Sequence, residues 1–298
     1  MKRTGIGIGS LALVIVLAVL VVFAASEVRF RKAYNEIAVS PLRADASPAA
    51  LERGRHLVEA ISKCAECHGQ GLGGQLMFDA GPLGQVYASN LTRGRGGVMN
   101  RYSDGQLERA IRHGVDDRGR ALAVMPSSDF WLMSDADVQA VIAYMRTLPP
   151  VDREVPQTNI RALGRALYLA GQLPLFPAEL MSHTAARPAP VAPGVTLEYG
   201  KYLATIGGCT GCHGADLAGA AQGHGPDEPP PANLTPAGEL RTWTEQDFFN
   251  ALRTGKRPNG SAIRAPMPWA SSGRMTDDEI RAVWMFIKSM PAKATPTE

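Results

Sequence analysis

Cysteine is scarce in this chain: 298 residues hold four, which fall into two close pairs, Cys64 with Cys67 and Cys209 with Cys212. A disulfide framework needs more, and a tetrahedral zinc site would have to draw on pairs about half the chain apart, so both stay minor readings. Charge of one sign is lacking as well. A net charge of +3 gives neither the basic field that nucleic acid requires nor an acidic solvating tail. Sustained period-two alternation is missing, so an all-α fold with little or no sheet is expected. What is present is 45% apolar and 20% charged residues, the composition of a globular chain long enough for two domains.

The one long uncharged run, Gly5 to Ala25, follows Lys2 and Arg3. At 1.5 Å per residue it reaches roughly 30 Å, a bilayer core, whereas the apolar part of a cleaved signal is about 7 to 15 residues. Residues 5–26 are therefore read as a transmembrane anchor or an uncleaved signal, with Ala24, Ala25 and Ser26 as the cleavage site in the rival reading. Either version exports the remainder: the expected location is the inner (cytoplasmic) membrane, with the folded domains on the periplasmic or extracytoplasmic side. Residues 27–46 read as a tether.

The second half repeats the first at an offset of 141 to 146 residues. LERGRHLVEAISKCAECHG from Leu51 answers LEYGKYLATIGGCTGCHG from Leu197, and ASNLT from Ala88 answers PANLTP from Pro231. YSDGQLERAIRHG from Tyr102 answers WTEQDFFNALRTG from Trp243, and the stretch from Ala123 to Pro150 answers that from Ala265 to Pro291. Two copies of one domain, 47–150 and 194–292, are expected around a 151–193 linker.

Within each copy the helix signals are local. Ser47 and Pro48 start the first helix; Ser103 with Gln106, and more weakly Thr244 with Asp247, cap a middle one that ends at Gly114 or Gly255. Val138, Val141, Ile142 and Met145 mark the apolar face of the last helix behind Ser134, and Ile280, Val283, Trp284 and Ile287 repeat it behind Thr276 and Glu279. In the linker, a short helix around Ile160 to Leu169 precedes RPAPVAPG, a stiff spacer.

The chemistry lies in CAECH, Cys64 to His68, and CTGCH, Cys209 to His213. Two thiols a helical turn apart suit the two vinyl groups of a haem, and the adjacent imidazole suits its iron. A thioredoxin-type redox pair would need a strand-helix-strand setting that is absent here. Two motifs in one repeated helical domain point to two covalently attached haem c groups, held by Cys64, Cys67 and His68 and by Cys209, Cys212 and His213.

Methionine, histidine or nothing can fill the sixth position, and the choice separates a carrier from an enzyme. Of eleven methionines, Met125 and Met267 occupy equivalent places, each before a proline and just ahead of the cap of the last helix. Proline there favours extended backbone and removes an amide donor, so such a loop can lie against an apolar face. Met125 and Met267 are the expected sixth ligands, with Met133 and Met275 in reserve; the other methionines read as packing. His56, His113, His183 and His224 read as solvated or hydrogen-bonded, and none recurs in the partner repeat: Tyr202 stands opposite His56 and Thr254 opposite His113.

From Leu51 to Pro291, outside the linker, this pattern resembles the class I cytochrome c fold. The resemblance implies that Gly54 and Gly200 let the first helix cross the last closely, against aromatic partners near Tyr144 and Trp284. It also implies that the segments at Asn90 and Asn233 are haem-covering stretches similar to those in cytochrome subunits of membrane-bound alcohol and gluconate dehydrogenases. Those subunits typically carry three haems, and this chain has two motifs and an apolar amino terminus.

The expected function is that of a membrane-anchored di-haem cytochrome c, relaying single electrons between respiratory or photosynthetic redox partners, with no catalytic residues of its own. The alternatives are a cytochrome subunit of a membrane-bound dehydrogenase or oxidase and a di-haem peroxidase-type enzyme. Equivalent methionines in both repeats argue against the last, and the absence of a fifth cysteine disfavours a thiosulfate-oxidising enzyme. Redox protein partners and the membrane are expected, and nucleic acid is not.

Overall fold

A computed structural model describes residues 2–187, 189–223 and 228–297; His224 lies outside them. An amino-terminal helix, α1 (Lys2–Phe30), leads into α2 (Pro48–His56), the motif helix α3 (Cys64–His68), α4 (Asp104–His113), α5 (Ser127–Phe130) and α6 (Asp135–Thr147). A linker helix, α7 (Ala162–Leu169), separates these from α8 (Leu197–Ile206), α9 (Cys209–His213), α10 (Glu245–Thr254), α11 (Trp269–Ser272) and α12 (Asp277–Ser289). From α2 to α6 and from α8 to α12 the order is the same.

Local chemistry sets the helix ends. Ser47, Ser103, Ser134, Thr196, Thr244 and Thr276 each accept a backbone amide two or three residues into the helix that follows, and Ser103, Thr244 and Thr276 complete reciprocal boxes with Gln106, Asp247 and Glu279. Gly114 and Gly255 end α4 and α10 in the left-handed conformation. The predicted apolar rows of α6 and α12 are buried, with Val138, Ile142 and Ile280 fully so.

The first helix of each repeat crosses the last at a glycine. A side chain at Gly54 would strike the Ala140 carbonyl and come within 2.9 Å of Tyr144 Cβ; at Gly200 it would strike the Ala282 carbonyl and come within 2.9 Å of Phe286 Cβ. The aromatic partner in the second repeat is therefore Phe286 and not Trp284, whose ring packs against Phe248 with centroids 5.3 Å apart.

Two features of the first repeat depart from expectation. The all-α expectation meets a three-stranded antiparallel sheet, β1 (Gln75–Asp79), β2 (Gly84–Ala88) and β3 (Asn159–Ile160), in that spatial order. Its strands are too short to show alternation in sequence, and the third comes from the linker. Gly84, at φ 135°, lets the hairpin pass the Asn159 carbonyl, where a Cβ would clash. The stretch read as a tether lies along the repeat: Tyr34 and Ile37 are buried, and the Tyr34 amide donates to Gly119 O at 2.8 Å.

The two repeats meet through a polar cluster at the amino ends of α6 and α12. Arg53 forms a two-pronged pair with Asp137 (2.9 and 3.1 Å) and reaches Glu279 at 3.3 Å. Across the contact, Tyr202 OH donates to Asp137 at 2.5 Å, and His56 Nε2 lies 2.6 Å from Glu279. Both carboxylates sit in the first turn of a helix, where the unpaired amides favour negative charge. Burial would raise the Glu279 carboxyl, yet His56 and the Thr276 amide hold it below its usual range.

Candidate functional site

Each motif is entered through a left-handed residue, Lys63 (φ 50°) or Gly208 (φ 71°), and left through a glycine of positive φ, Gly69 or Gly214. Between these bends, five helical residues place the two cysteines three apart and the histidine four beyond the first, all on one side of a single turn. Burial raises the Cys64 thiol to about 12 and pushes Cys67, Cys209 and Cys212 up as well.

The histidines are aimed by backbone. His68 Nδ1 lies 2.7 Å from Ser89 O and His213 Nδ1 2.7 Å from Ala232 O. A carbonyl only accepts, so Nδ1 carries the proton and the lone pair is on Nε2, the tautomer that an iron ligand of this kind needs. Burial holds the His68 imidazole below its ordinary value, partly offset by that hydrogen bond.

What fixes those carbonyls is the Asn-Leu-Thr segment that follows each. Asn90 is fully buried; its amide donates to Val151 O (2.7 Å) and Arg153 O (3.1 Å), and its oxygen accepts from the Thr92 amide (2.9 Å) and hydroxyl (2.8 Å). Asn233 does the same with Lys293 O (2.8 Å), Thr295 Oγ1 (3.1 Å) and the Thr235 amide and hydroxyl (2.9 and 2.7 Å). Each asparagine thus ties the chain beyond the last helix to the residue beside the histidine's acceptor. These braces were expected as haem-covering stretches; their repetition was the signal, but the role follows only from the contacts.

Met125 and Met267 each precede a proline held at the centre of an inverse γ-turn, Pro126 at φ −78°, ψ 57° and Pro268 at φ −83°, ψ 54°. The turns close by Ser127 N to Met125 O (2.8 Å) and Trp269 N to Met267 O (2.9 Å). Both methionines are half-buried and border the apolar core that Cys64 and Cys209 also touch. Met133 and Met275, the reserve pair, are buried within that core. Arg112, fully buried and paired with Glu108 of its own helix (2.8 Å), ties the stretch between Met125 and α6 to α4 through Met133 O (2.8 Å) and Asp135 (2.7 Å). Arg253 does so for the second repeat through Gly273 O and Asp277.

The two sites adjoin. Lys63, just ahead of Cys64, donates to Gly207 O, two residues ahead of Cys209, at 2.5 Å. Ser271, in the helix after Met267, donates to Glu66 inside the first motif at 2.5 Å. In the mirrored place, Asp129 faces Gly211 of the second motif, and burial raises its carboxyl to about 6 against the opposing pull of Lys63. Each methionine loop therefore packs on the other repeat's motif helix.

Thiol pairs on one turn, an imidazole of fixed tautomer and a thioether bordering the same core are the donor set of haem c, and these residues fit that group. Comparison with known proteins finds cytochrome c domains in both halves of the chain. The cytochrome c family model matches residues 197–291, and the model for subunit III of cbb3-type cytochrome c oxidase matches 49–145. The chain is 29% identical, over 85% of its length, to the fructose dehydrogenase cytochrome subunit of Gluconobacter japonicus. It is also 29% identical, over 83%, to the cytochrome c subunit of the quinone alcohol dehydrogenase of Gluconacetobacter polyoxogenes. With the cytochrome c subunit of gluconate 2-dehydrogenase of Pantoea cypripedii the identity is 28%, again over 83% of this chain. It spans 55%, 57% and 61% of these three relatives' own lengths.

Proposed function

We propose that this chain, built from two cytochrome c domains that carry two covalently bound haem c groups and homologous to the cytochrome c subunits of membrane-bound dehydrogenases, is a membrane-anchored relay of single electrons. The domains are 47–150 and 194–292, joined by 151–193 and held to the inner membrane, on its periplasmic side, by 5–26. In one domain Cys64, Cys67 and His68 hold haem with Met125 as sixth ligand; in the other Cys209, Cys212 and His213 hold it with Met267.

Haem so held supplies a ferrous–ferric couple. The chain supplies its setting. Ser89 and Ala232 fix the ring proton on Nδ1 and orient the imidazoles, which raises their basicity as ligands. The prolines after Met125 and Met267 hold the loops that carry the two thioethers, and a sulfur ligand there would occupy the position that substrate would need. The observation that carries the reading is that both repeats keep the whole constellation of CxxCH motif, carbonyl-aimed histidine, asparagine brace and proline-held methionine. Homology favours service as a subunit that takes electrons from a dehydrogenase over service as a free carrier.

A redox titration of the purified holoprotein, followed in the visible and near infrared, tests this. Two low-spin haems with a sulfur-to-iron band at positive potential are expected. Met125→Ala and Met267→Ala should each lower one potential and open that haem to carbon monoxide. Unchanged potentials in both variants would show that other residues ligate.

A further inference from the structure

The linker helix α7 has no polar face. Gly164 and Tyr168 turn into the protein, and the outward arc of Ala162, Leu163, Ala166 and Ala170 carries no polar side chain. Its one charge is turned to the amino-terminal helix: Arg165 donates to Ser26 Oγ at 2.8 Å, pairs with Glu27 at 3.1 Å, and lies over the rings of Phe23 and Phe30 at 4.6 and 4.5 Å. A helix apolar on both sides is at home where one side meets protein and the other meets hydrocarbon. Leu163 stands 48% exposed, and Leu180, at the end of the same segment, 70%.

The position of this surface names its occupant. The apolar window of α1, Leu13–Phe30 with mean hydropathy 2.4, ends against α7, and Val28 on its last turn is 75% exposed. Arg29, Arg31 and Lys32 follow at once, cations at the level where lipid phosphates begin. The joint is stiff: Phe30, Tyr168 and Phe176 pack edge to face, and Glu179 accepts from Tyr168 OH (2.8 Å) while pairing with Arg29 (3.0 Å).

We propose that α7 and the Leu180 turn dock into the headgroup–acyl boundary beside the exit of α1, so that the first cytochrome domain is held on the lipid surface in one orientation. Burial of Leu163 and Leu180 in that boundary adds to the hold of the span. The first domain is bolted to this platform by Tyr34 on Gly119 and by His183 on His113. The second is carried by the first through Arg53, Asp137 and Glu279. The proposal rests on the anchor reading of α1.

Because haem attachment consumes the native cysteines, single-cysteine variants report without background. Nitroxide labels at Leu163→Cys and Leu180→Cys, at Val16→Cys within the span and at Lys201→Cys on the second domain would be compared in the reduced holoprotein. The vesicles are phosphatidylcholine and phosphatidylglycerol, and the relaxing agents are oxygen and a water-soluble nickel chelate. The oxygen-to-nickel ratio at 163 and 180 should exceed that at 201 several-fold and approach that at 16. A lipid-like ratio at 16 with water-like ratios at 163 and 180 overturns the docking and leaves the anchor standing. A water-like ratio at 16 overturns both.

Discussion

The two repeats share what touches the motif and differ in what surrounds it. Both keep the same histidine-to-carbonyl bond at 2.7 Å, the same asparagine brace, the same proline turn after the methionine and the same glycine crossing. Among the described residues, only the first is wrapped by a small sheet, the run-in from α1 and a linker with its own apolar cluster of Val86, Ile160, Tyr168, Leu175 and Phe176. Shared features therefore mark the requirements of the cofactor, and unshared ones the way one domain is fastened to its support.

The comparison breaks most completely at the cysteines. Cys64→Ala or Cys209→Ala leaves one thioether at most in the altered domain and should weaken or lose covalent haem there only, as read by haem quantitation and mass of each proteolytic half. Loss from both domains would show that the repeats do not mature independently.

Next come the crossings. Gly54→Val and Gly200→Val drive a side chain into the Ala140 and Ala282 carbonyls and should each cost more than about 3 kcal/mol, with the altered domain unfolding first in denaturant. The braces are milder. Asn90→Ala should cost about 2 to 3 kcal/mol by leaving buried carbonyls of Val151 and Arg153 unpaired, and Asn233→Ala less, because Asn233 is 9% exposed where Asn90 is fully buried. Equal losses would show that burial does not set the difference.

The smallest effect is acid sensitivity of the first repeat. His183 donates from Nε2 to Ala178 O (2.9 Å), so its Nδ1 accepts from His113 Nδ1 at 3.0 Å. Burial, helped by His183, lowers His113 to about 4, so the folded state holds it neutral. A folded value below the unfolded one means stability is full above about 6.5 and is lost as pH falls toward 4. The half-exposed site limits the loss to on the order of 1 to 2 kcal/mol. His113→Thr, which installs the second repeat's residue at that place, should abolish the slope in thermal melts between those pH values.

Much of this was legible in order along the chain. Ser103, Ser134, Thr244 and Thr276 announced their helices because a cap is satisfied by an amide three residues away, whereas the role of Gly54 and Gly200 came only from the resemblance to the class I cytochrome c fold. The sheet was not legible, since β3 supplies two residues from 71 positions beyond β2, and a pattern that short has no period to read. His56 gave no sign of its partner, because Glu279 is 223 residues away.

By itself the sequence determined the duplication, read by matching the two halves, and the two CxxCH motifs with Met125 and Met267 as candidate partners, the apolar run and the ends of the helices, which are encoded by short-range spacing. Only the tertiary structure decided which carbonyls aim His68 and His213, that each methionine loop leans on the other repeat's motif, and that the linker packs on the end of α1. Those outcomes depend on backbone groups, which every residue carries alike, and on contacts between distant segments, whose partners are chosen by packing and not by local pattern.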